Sequence, residues 1–320
     1  MEGRDPPLSV TAVIPTVSPR TELTIVLDAL REEALDGVIV VENGPNPVLE
    51  GREDVRVLRP GRNVGIAARN LAAREADTEF LLMLDDDSHP LPGSVEALVR
   101  AFRQDPRLGV VGGLVRDVDL QTGIETERGS TTFDWWLRAG NEGPAGETGL
   151  PAFFFPAGAC MLRRDAFLEV GGFFEGYFHG GTELDLATRL LAAGWDVRYL
   201  PSAPFVHFKS ATGRAKPDML RLRIRNQLWY FYRHFPAALA ARRIPAYLLF
   251  DLLESAKSHA LGSWTGGIRD AWRERQRVRN TRHALPRSVV RRAEMNRGRM
   301  HLRLLADRAA KLAQSGRRNA

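Results

Sequence analysis

Three adjacent carboxylates, Asp85-Asp86-Asp87, follow the apolar run Leu81–Leu84. Placed together beside a buried run they repel one another and lose hydration. A hard divalent cation relieves that cost, and Mg²⁺ characteristically binds through one or two carboxylates together with substrate phosphates. The alternative is a solvated acidic turn ahead of a helix at Ser94. Glu183 lies in Gly180–Leu190 (GGTELDLATRL), in the first turn of a second helical pattern. There the helix dipole stabilises the anion and keeps a carboxylate available as a base. Its neighbours have structural duties: Thr182 and Asp185 fit a capping box with Asp in place of Glu, and Asp185 and Arg189, four apart, can pair along the helix. Asn63-Val64-Gly65 with Arg69-Asn70 opens another helix, whose backbone amides could face a phosphate with Arg69 adding charge. Simple N-capping by Asn63 is the plainer reading. His207, after the apolar Phe205-Val206, is either a metal or phosphate ligand or a partly buried structural histidine.

These residues need a frame that brings them together. Val10–Ile14, Val38–Val41, Val55–Leu58, Phe80–Leu84 and Gly109–Val111 read as strands. Thr21–Glu33, Val64–Ala76 and Ser94–Gln104 carry apolar residues at helical spacing. Strand–helix alternation with continuously apolar strands implies a largely parallel α/β sheet covered on both faces. Such sheets bind ligands beyond the carboxyl ends of their strands. The residues just after the strands are unusually polar: Pro15-Thr16, Glu42-Asn43-Gly44 and the aspartate triplet. Residues 116–150 read as a long Gly- and Thr-rich excursion over the sheet. Order returns at Phe153–Arg163, and a helix follows at Thr182–Ala193.

Charge divides the chain of 320 residues. The formal net charge is +6, from 45 Lys and Arg against 39 Asp and Glu. Residues 209–320 hold 26 of the basic and 7 of the acidic residues, a surplus of +19, which leaves −13 for residues 1–208. An acidic body with a basic helical extension fits this asymmetry. The single Cys160 excludes a disulfide framework and a cysteine zinc cluster. Met1–Pro7 lacks the apolar core of a signal peptide. Pro236–Leu253 is interrupted by Arg242, Arg243, Pro245 and Asp251, short of the roughly 20 clean apolar residues of a membrane span. A cytoplasmic protein is expected. Neither GxGxxG nor GxxxxGK[ST] occurs, so neither a dinucleotide fold nor a P-loop is supported.

In order and spacing, Ile14-Pro15-Thr16, Val41-Glu42-Asn43-Gly44, Asn63-x-Gly65-x3-Arg69-Asn70, Leu84-Asp85-Asp86-Asp87, Val170-Gly171-Gly172-Phe173, Glu183-x-Asp185-Leu186-x2-Arg189 and His207 resemble glycosyltransferase family 2, bacterial type, over about residues 9–208. The resemblance implies the GT-A fold as a catalytic domain over 1–208, with 209–320 as a basic helical extension. It implies an inverting transferase that moves a hexosyl or deoxyhexosyl unit from a UDP- or dTDP-type nucleotide sugar to a hydroxyl acceptor, helped by Mg²⁺ or Mn²⁺.

Roles follow from the resemblance. Pro15, Thr16, Glu42 and Asn43 would line the base and ribose, with Asn63, Gly65 and Arg69 beside the nucleotide. Asp85 and Asp87 match the family's Asp-x-Asp: Asp87 is the direct metal ligand, Asp85 or Asp86 lies nearer the ribose, and Asp85 and His207 stand close to the metal. Aligned on Asp185-Leu186, Thr182 takes the place of a family glutamate and Glu183 that of the catalytic base, whose position at a helix N-terminus should keep its pKa low enough for base function at neutral pH. Acceptor-side residues would be Trp135, Trp136, Phe154, Gly158 and Asp185. Read from residues alone, Phe133, Trp135, Trp136 and Phe153–Phe155 form either an aromatic platform or core.

Other classes leave weaker marks. A nucleotidyltransferase would want a Gly-rich basic loop, and Pro15–Arg20 (PTVSPR) has no glycine. A nucleic-acid-binding protein could act through Arg273, Arg275, Arg277 and Arg279, but its acidic body would repel the same polymer. A sugar-binding module without catalysis would not need the aspartate triplet and Glu183. For the extension, the aromatic and arginine-rich helices suit a peripheral contact with the inner face of a membrane, where lipid-linked or cell-envelope glycan acceptors reside. Packing on the catalytic body, or a homodimer contact, is the alternative.

Overall fold

The computed structural model describes residues 9–46, 48–49, 52–125, 145–209, 216–257 and 259–291. Its strands are β1 (Val10–Thr16), β2 (Gly37–Glu42), β3 (Arg56–Leu58), β4 (Phe80–Leu84), β5 (Ser88–Pro90), β6 (Leu108–Asp119), β7 (Leu150–Pro151), β8 (Ala159–Arg163) and β9 (Asp196–Lys209). Its helices are α1 (Thr21–Leu30), α2 (Ala68–Glu75), α3 (Ser94–Gln104), α4 (Arg164–Glu169), α5 (Thr182–Ala192), α6 (Lys216–His234), α7 (Ala237–Lys257), α8 (Leu261–Arg273) and α9 (Gln276–Arg279).

The strands form one sheet in the order β3-β2-β1-β4-β8-β6-β9-β5, with β7 on β9. The pairs from β3 to β4 are parallel, as the strand–helix alternation requires. Beyond β4 the sheet is mixed: β8 runs antiparallel to both β4 and β6, while β6 and β9 are parallel. The expectation of a largely parallel sheet therefore holds for the first half. It fails at β8, which enters between β4 and β6 antiparallel to both.

Alternation along β4 separates two apolar layers. Phe80, Leu82 and Leu84 face α1 and α3, packing with Leu23, Val26, Leu98 and Phe102. Leu81 and Met83 face the opposite side, where α2, α4 and α5 supply Ala72, Phe167, Leu186 and Leu190. A sheet buried on both faces explains why β4 is apolar at every position. The helix expected from Val64 begins with a 3-10 turn, Gly65–Ala67, before α2. The expected excursion begins later than residue 116, because β6 runs on to Asp119 beside β9. Residues 126–144, with Phe133, Trp135 and Trp136, lie outside the described residues.

The C-terminal helices enclose a third cluster, of Trp229, Tyr230, Phe231, Phe235, Ala271 and Val278, into which Tyr177 of the preceding α/β body inserts. Arg221 and Asp270 join α6 to α8, with Nε–Oδ2 2.5 Å, and Arg223 and Asp251 join α6 to α7 at 3.0 Å. Among the described residues no helix is long and apolar enough to cross a membrane.

Candidate active site

Parallel pairing of β2, β1 and β4 sets their carboxyl ends side by side, so Thr16, Glu42-Asn43 and Asp85-Asp86-Asp87 meet at one edge. Thr16 Oγ1 donates to Asp86 Oδ2 (2.7 Å) and to the Ser18 carbonyl (3.2 Å), linking β1 to the triplet, and Pro15 stands beside it half-buried. Arg20, from the loop after β1, donates to Asp87 Oδ2 at 3.0 Å and lies 3.4 Å from Asp86 Oδ1. Sequence reasoning missed Arg20. Its place after the first parallel strand, opposite three carboxylates, was the available signal.

Glu42 is turned inward, 1% exposed. Its Oε1 accepts the backbone N–H groups of Val48 and Leu49 (2.8 and 2.6 Å), and Oε2 accepts Arg59 Nε (2.6 Å). Burial alone would raise this carboxyl, but those two amides and Arg59 bring it below its usual value. Glu42 therefore shapes the loop after β2 instead of offering its oxygens outward. Asn43 joins that loop to the next: its Nδ2 donates to Asn63 Oδ1 and the Gly65 carbonyl, both at 3.1 Å, and its Oδ1 accepts the Val64 N–H at 2.8 Å. Asn63 Oδ1 also accepts the Gly65 N–H, so it braces a turn and does not cap α2. Gly65 has φ +63°, and a Cβ there would overlap the Phe178 carbonyl.

Arg69, 4% exposed, donates through Nη2 to the Leu84 carbonyl (2.9 Å) and to Asp85 Oδ1 (2.5 Å). Asp85 is further packed on Gly158, where any Cβ would meet its Oδ2. Asn70 fixes the glycine pair: its Nδ2 donates to the Phe173 carbonyl and its Oδ1 accepts the Phe173 N–H, both at 2.8 Å.

The metal expectation divides. Among the described residues no group of three or more His, Cys, Asp or Glu is arranged to hold an ion. Asp85, of the expected set, pairs with Arg69 through Oδ1 while its side chain stays about half exposed. Asp87 and His207 remain together, with Nε2 3.5 Å from Oδ1. β9 delivers His207 between Ser88 of β5 and Asp117 of β6. His207 Nδ1 donates to Asp117 Oδ1 at 2.7 Å, the carboxylate orientation common behind metal-binding imidazoles. Burial, with Asp85 and Asp86 nearby, raises Asp87 to about 6 despite His207 and Arg20. Arg20 and His207 thus do not fully offset the cost of burying its anion beside two other carboxylates. Burial would lower His207, but the bond to Asp117 and the charge of Asp87 raise it overall. One strained carboxylate and one oriented imidazole fit a divalent cation that takes its other ligands from phosphates and water.

Glu183 opens α5 after Gly181, which has φ +71° and makes no side-chain cap. The capping box does not form. Thr182 Oγ1 donates to Glu183 Oε2 at 2.8 Å, and Asp185 is engaged elsewhere. Burial pushes the Glu183 carboxyl above its usual value, against its own backbone N–H, the Thr182 hydroxyl and Arg69, while Asp85 adds to the rise. Burial thus outweighs the helix terminus in setting this carboxyl. The action of Arg69 and Asp85 on Glu183 also places this carboxyl in the same electrostatic neighbourhood as the aspartate triplet.

Asp185 is fully buried. It accepts Arg189 Nε (2.9 Å) and His234 Nε2 (2.7 Å) and is paired with Arg233. Burial would raise its carboxyl, but these groups hold it well below the usual range. Expected on the acceptor side, Asp185 is instead enclosed by these three side chains, where it binds α5 to α6. Of the aromatic run, Phe153 and Phe155 are core, and Phe154 is half-buried against the same cluster.

Residues 11–171 match the model of the family described as glycosyl transferase family 2. The chain is 29% identical over 242 residues to the N-acetylglucosaminyl-diphospho-decaprenol L-rhamnosyltransferase of Mycobacterium tuberculosis, covering 65% of this chain and 78% of that protein. Its fold is similar to S. aureus TarS 1–349 in complex with UDP-GlcNAc (TM-score 0.57, 12% identity, 92% and 88% of the two chains). It is also similar to GalNAc-T7 with UDP, GalNAc and Mn²⁺ (TM-score 0.57, 14% identity), covering 72% of this chain and about half, 48%, of the other.

Proposed function

The chain belongs to glycosyl transferase family 2 and is a glycosyltransferase, and on that premise we propose that it transfers a sugar with inversion from a UDP- or dTDP-type nucleotide sugar to a hydroxyl acceptor, with Glu183 as base. The observation that carries this reading is the Glu183 carboxyl, raised by burial and lying within the electrostatic reach of Arg69 and Asp85 at the carboxyl end of β4. A partly buried carboxylate with a raised pKa is suited to take a proton at neutral pH. The acceptor oxygen forms a bond to the anomeric carbon as the bond to the diphosphate breaks. The electron pair leaves with the diphosphate, and the hydroxyl proton passes to Glu183.

Pro15, Thr16 and Asn43 line the nucleotide, on a loop that Glu42 holds from within, while Asn63, Gly65 and Arg69 close its other side. Asp87 and His207 would hold Mg²⁺ or Mn²⁺, with Asp86 beside them. When bound, that ion supplies neutralisation of the charge on the departing diphosphate. Support for a divalent ion comes from the pairing of a half-buried Asp87 with an oriented His207, and from Mn²⁺ in the GalNAc-T7 structure.

For the acceptor we favour a hydroxyl of a lipid-linked cell-envelope glycan; the mycobacterial relative is named for N-acetylglucosaminyl-diphospho-decaprenol. Leu249 and Leu253 are exposed one turn apart on α7, with exposed Arg242 and Arg243 on the same helix. Such a face suits the anionic inner leaflet of a membrane. The nucleic-acid alternative has less to stand on: of Arg273, Arg275, Arg277 and Arg279, Arg277 is paired with Glu274 and Arg275 stacks on Trp272.

The deciding experiment is a thermal-shift screen of nucleoside diphosphates and nucleotide sugars, with and without Mn²⁺. Metal-dependent stabilisation, lost in Asp87→Ala, is expected. Turnover should vanish in Glu183→Gln while donor binding persists. Stabilisation by oligonucleotides alone, or near-parental turnover of Glu183→Gln, would overturn the reading.

A further inference from the structure

The segment that leads into Glu183 is held from the far end of the chain. After a 3-10 turn at Glu175–Tyr177, Phe178 takes φ +62° and ψ −57°, and the His179 N–H donates to the Tyr177 carbonyl at 2.6 Å. This is a three-residue γ-turn, rare and costly for a residue with a side chain, and it persists only where its surroundings over-determine it. The turn is tied on one side to the nucleotide loop, because the Phe178 carbonyl accepts the Ile66 N–H at 2.8 Å. On the other side Gly180 and Gly181, both at positive φ, pass the chain into α5.

Such a turn leaves carbonyls that neither helix nor sheet satisfies. Asn226, in the middle of α6 and 1% exposed, meets them. Its Nδ2 donates to the carbonyls of Tyr177 (3.1 Å), His179 (2.7 Å) and Gly180 (2.7 Å). Arg225 donates through Nη2 to the Tyr177 and Gly176 carbonyls (2.9 and 3.4 Å), and its Nε donates to Asn226 Oδ1 (3.0 Å), which fixes the orientation of the amide. Arg225 also stacks on Trp229, 4.6 Å from the ring centre, and pairs with Glu274 of the C-terminal helices. The match to the family model ends at residue 171, before this segment.

We propose that Asn226, supported by Arg225, is a positioning residue for the catalytic base: its amide fixes the turn at Phe178, and so the distance between the nucleotide loop and Glu183. The basic extension is then part of the active-site scaffold. The proposal rests on Glu183 being the base. Removal of the amide takes that donor from the His179 and Gly180 carbonyls, leaves the Tyr177 carbonyl to Arg225 and the His179 N–H, and lets the turn relax from positive φ. A shift of the base by about 1 Å costs on the order of 10²-fold in rate while leaving the nucleotide contacts in place.

The test uses the full chain and measures nucleoside diphosphate release from the nucleotide sugar retained by the screen above, with water as acceptor. It is combined with calorimetric binding of UDP in Mn²⁺ and amide exchange over residues 174–184. Asn226→Ala should lower kcat by about tenfold or more, with donor KM and UDP affinity within about twofold of the parent, and should speed exchange at 177–181. Asn226→Asp, similar in size but without the N–H donors, should behave alike, and Asn226→Gln should regain part of the rate. Arg223→Ala loosens the same helix by breaking its pair with Asp251. It should lower the melting temperature without the loss in kcat. The proposal fails if Asn226→Ala and Asn226→Asp keep kcat within about twofold, or if Arg223→Ala loses as much kcat at equal loss of melting temperature. Full activity in Glu183→Gln would instead sink the base assignment, while the exchange measurement would still report on the clamp.

Discussion

His207 Nε2 stands 3.5 Å from Asp87 Oδ1 while its Nδ1 donates to Asp117 Oδ1 at 2.7 Å. The Asp117 bond sets Nδ1 as the donor, with Nε2 directed at the half-buried Asp87 carboxylate. Mn²⁺ binding to the protein alone, measured by calorimetry, should disappear in Asp87→Ala. Asp117→Asn should weaken it about tenfold or more by releasing the ring. Asp85→Asn should change it little, because Asp85 answers to Arg69. Equal losses in Asp85→Asn and Asp87→Ala would restore Asp85 to the metal set.

Glu183 gives a pH dependence of definite sign. A base must be ionised to accept the proton, so kcat falls as pH drops through its pKa. Burial raises that pKa, so the acid limb of kcat should lie above the ordinary glutamate value of about 4.3. The Thr182 hydroxyl stabilises the anion. Thr182→Val should therefore move the limb to still higher pH, and a limb that moves down would remove that hydroxyl from the account.

Asp185 is a structural keystone between α5 and α6. Asp185→Ala strands Arg233 and His234 without their buried partner, a change that costs about 3–5 kcal/mol in comparable sites. Urea unfolding reads it directly. Because the folded-state pKa is depressed, the contribution is present above the unfolded value of about 3.9 and is lost as pH falls below it. The difference in stability between parent and variant should accordingly be full near pH 7 and shrink in acid.

Gly65→Ala forces a side chain into φ +63° and into the Phe178 carbonyl. The backbone term alone is about 1–3 kcal/mol. Because the Phe178 carbonyl also bonds Ile66, the variant should lose both melting temperature and nucleotide binding. Unchanged nucleotide affinity would show that the turn at Phe178 is not coupled to that loop.

Local pattern carried much of the fold. The runs at Phe80–Leu84 and Val10–Ile14, and the helix Ser94–Gln104, stand where apolar spacing puts them. Periodicity reports burial on one face or two, and those elements are buried that way. The parallel order of β2, β1 and β4 then makes polar residues after each strand converge, so Thr16, Asn43 and the aspartate triplet were legible as one edge. Charge arithmetic marked the helical extension but not its work.

Tertiary structure alone decided which polar groups face one another. Asp117 and His207 are 90 residues apart and meet only because β6 and β9 pair in register. Asp185 and His234 are 49 apart, and nothing in a capping-box pattern indicates that the aspartate turns toward another helix. Glu42 and Asp85 read from sequence as groups offered to a ligand, yet backbone amides and Arg59 hold the first and Arg69 the second. The reason is physical: a buried charge must be compensated, and sequence shows the charge without showing which distant partner the packed chain brings to it.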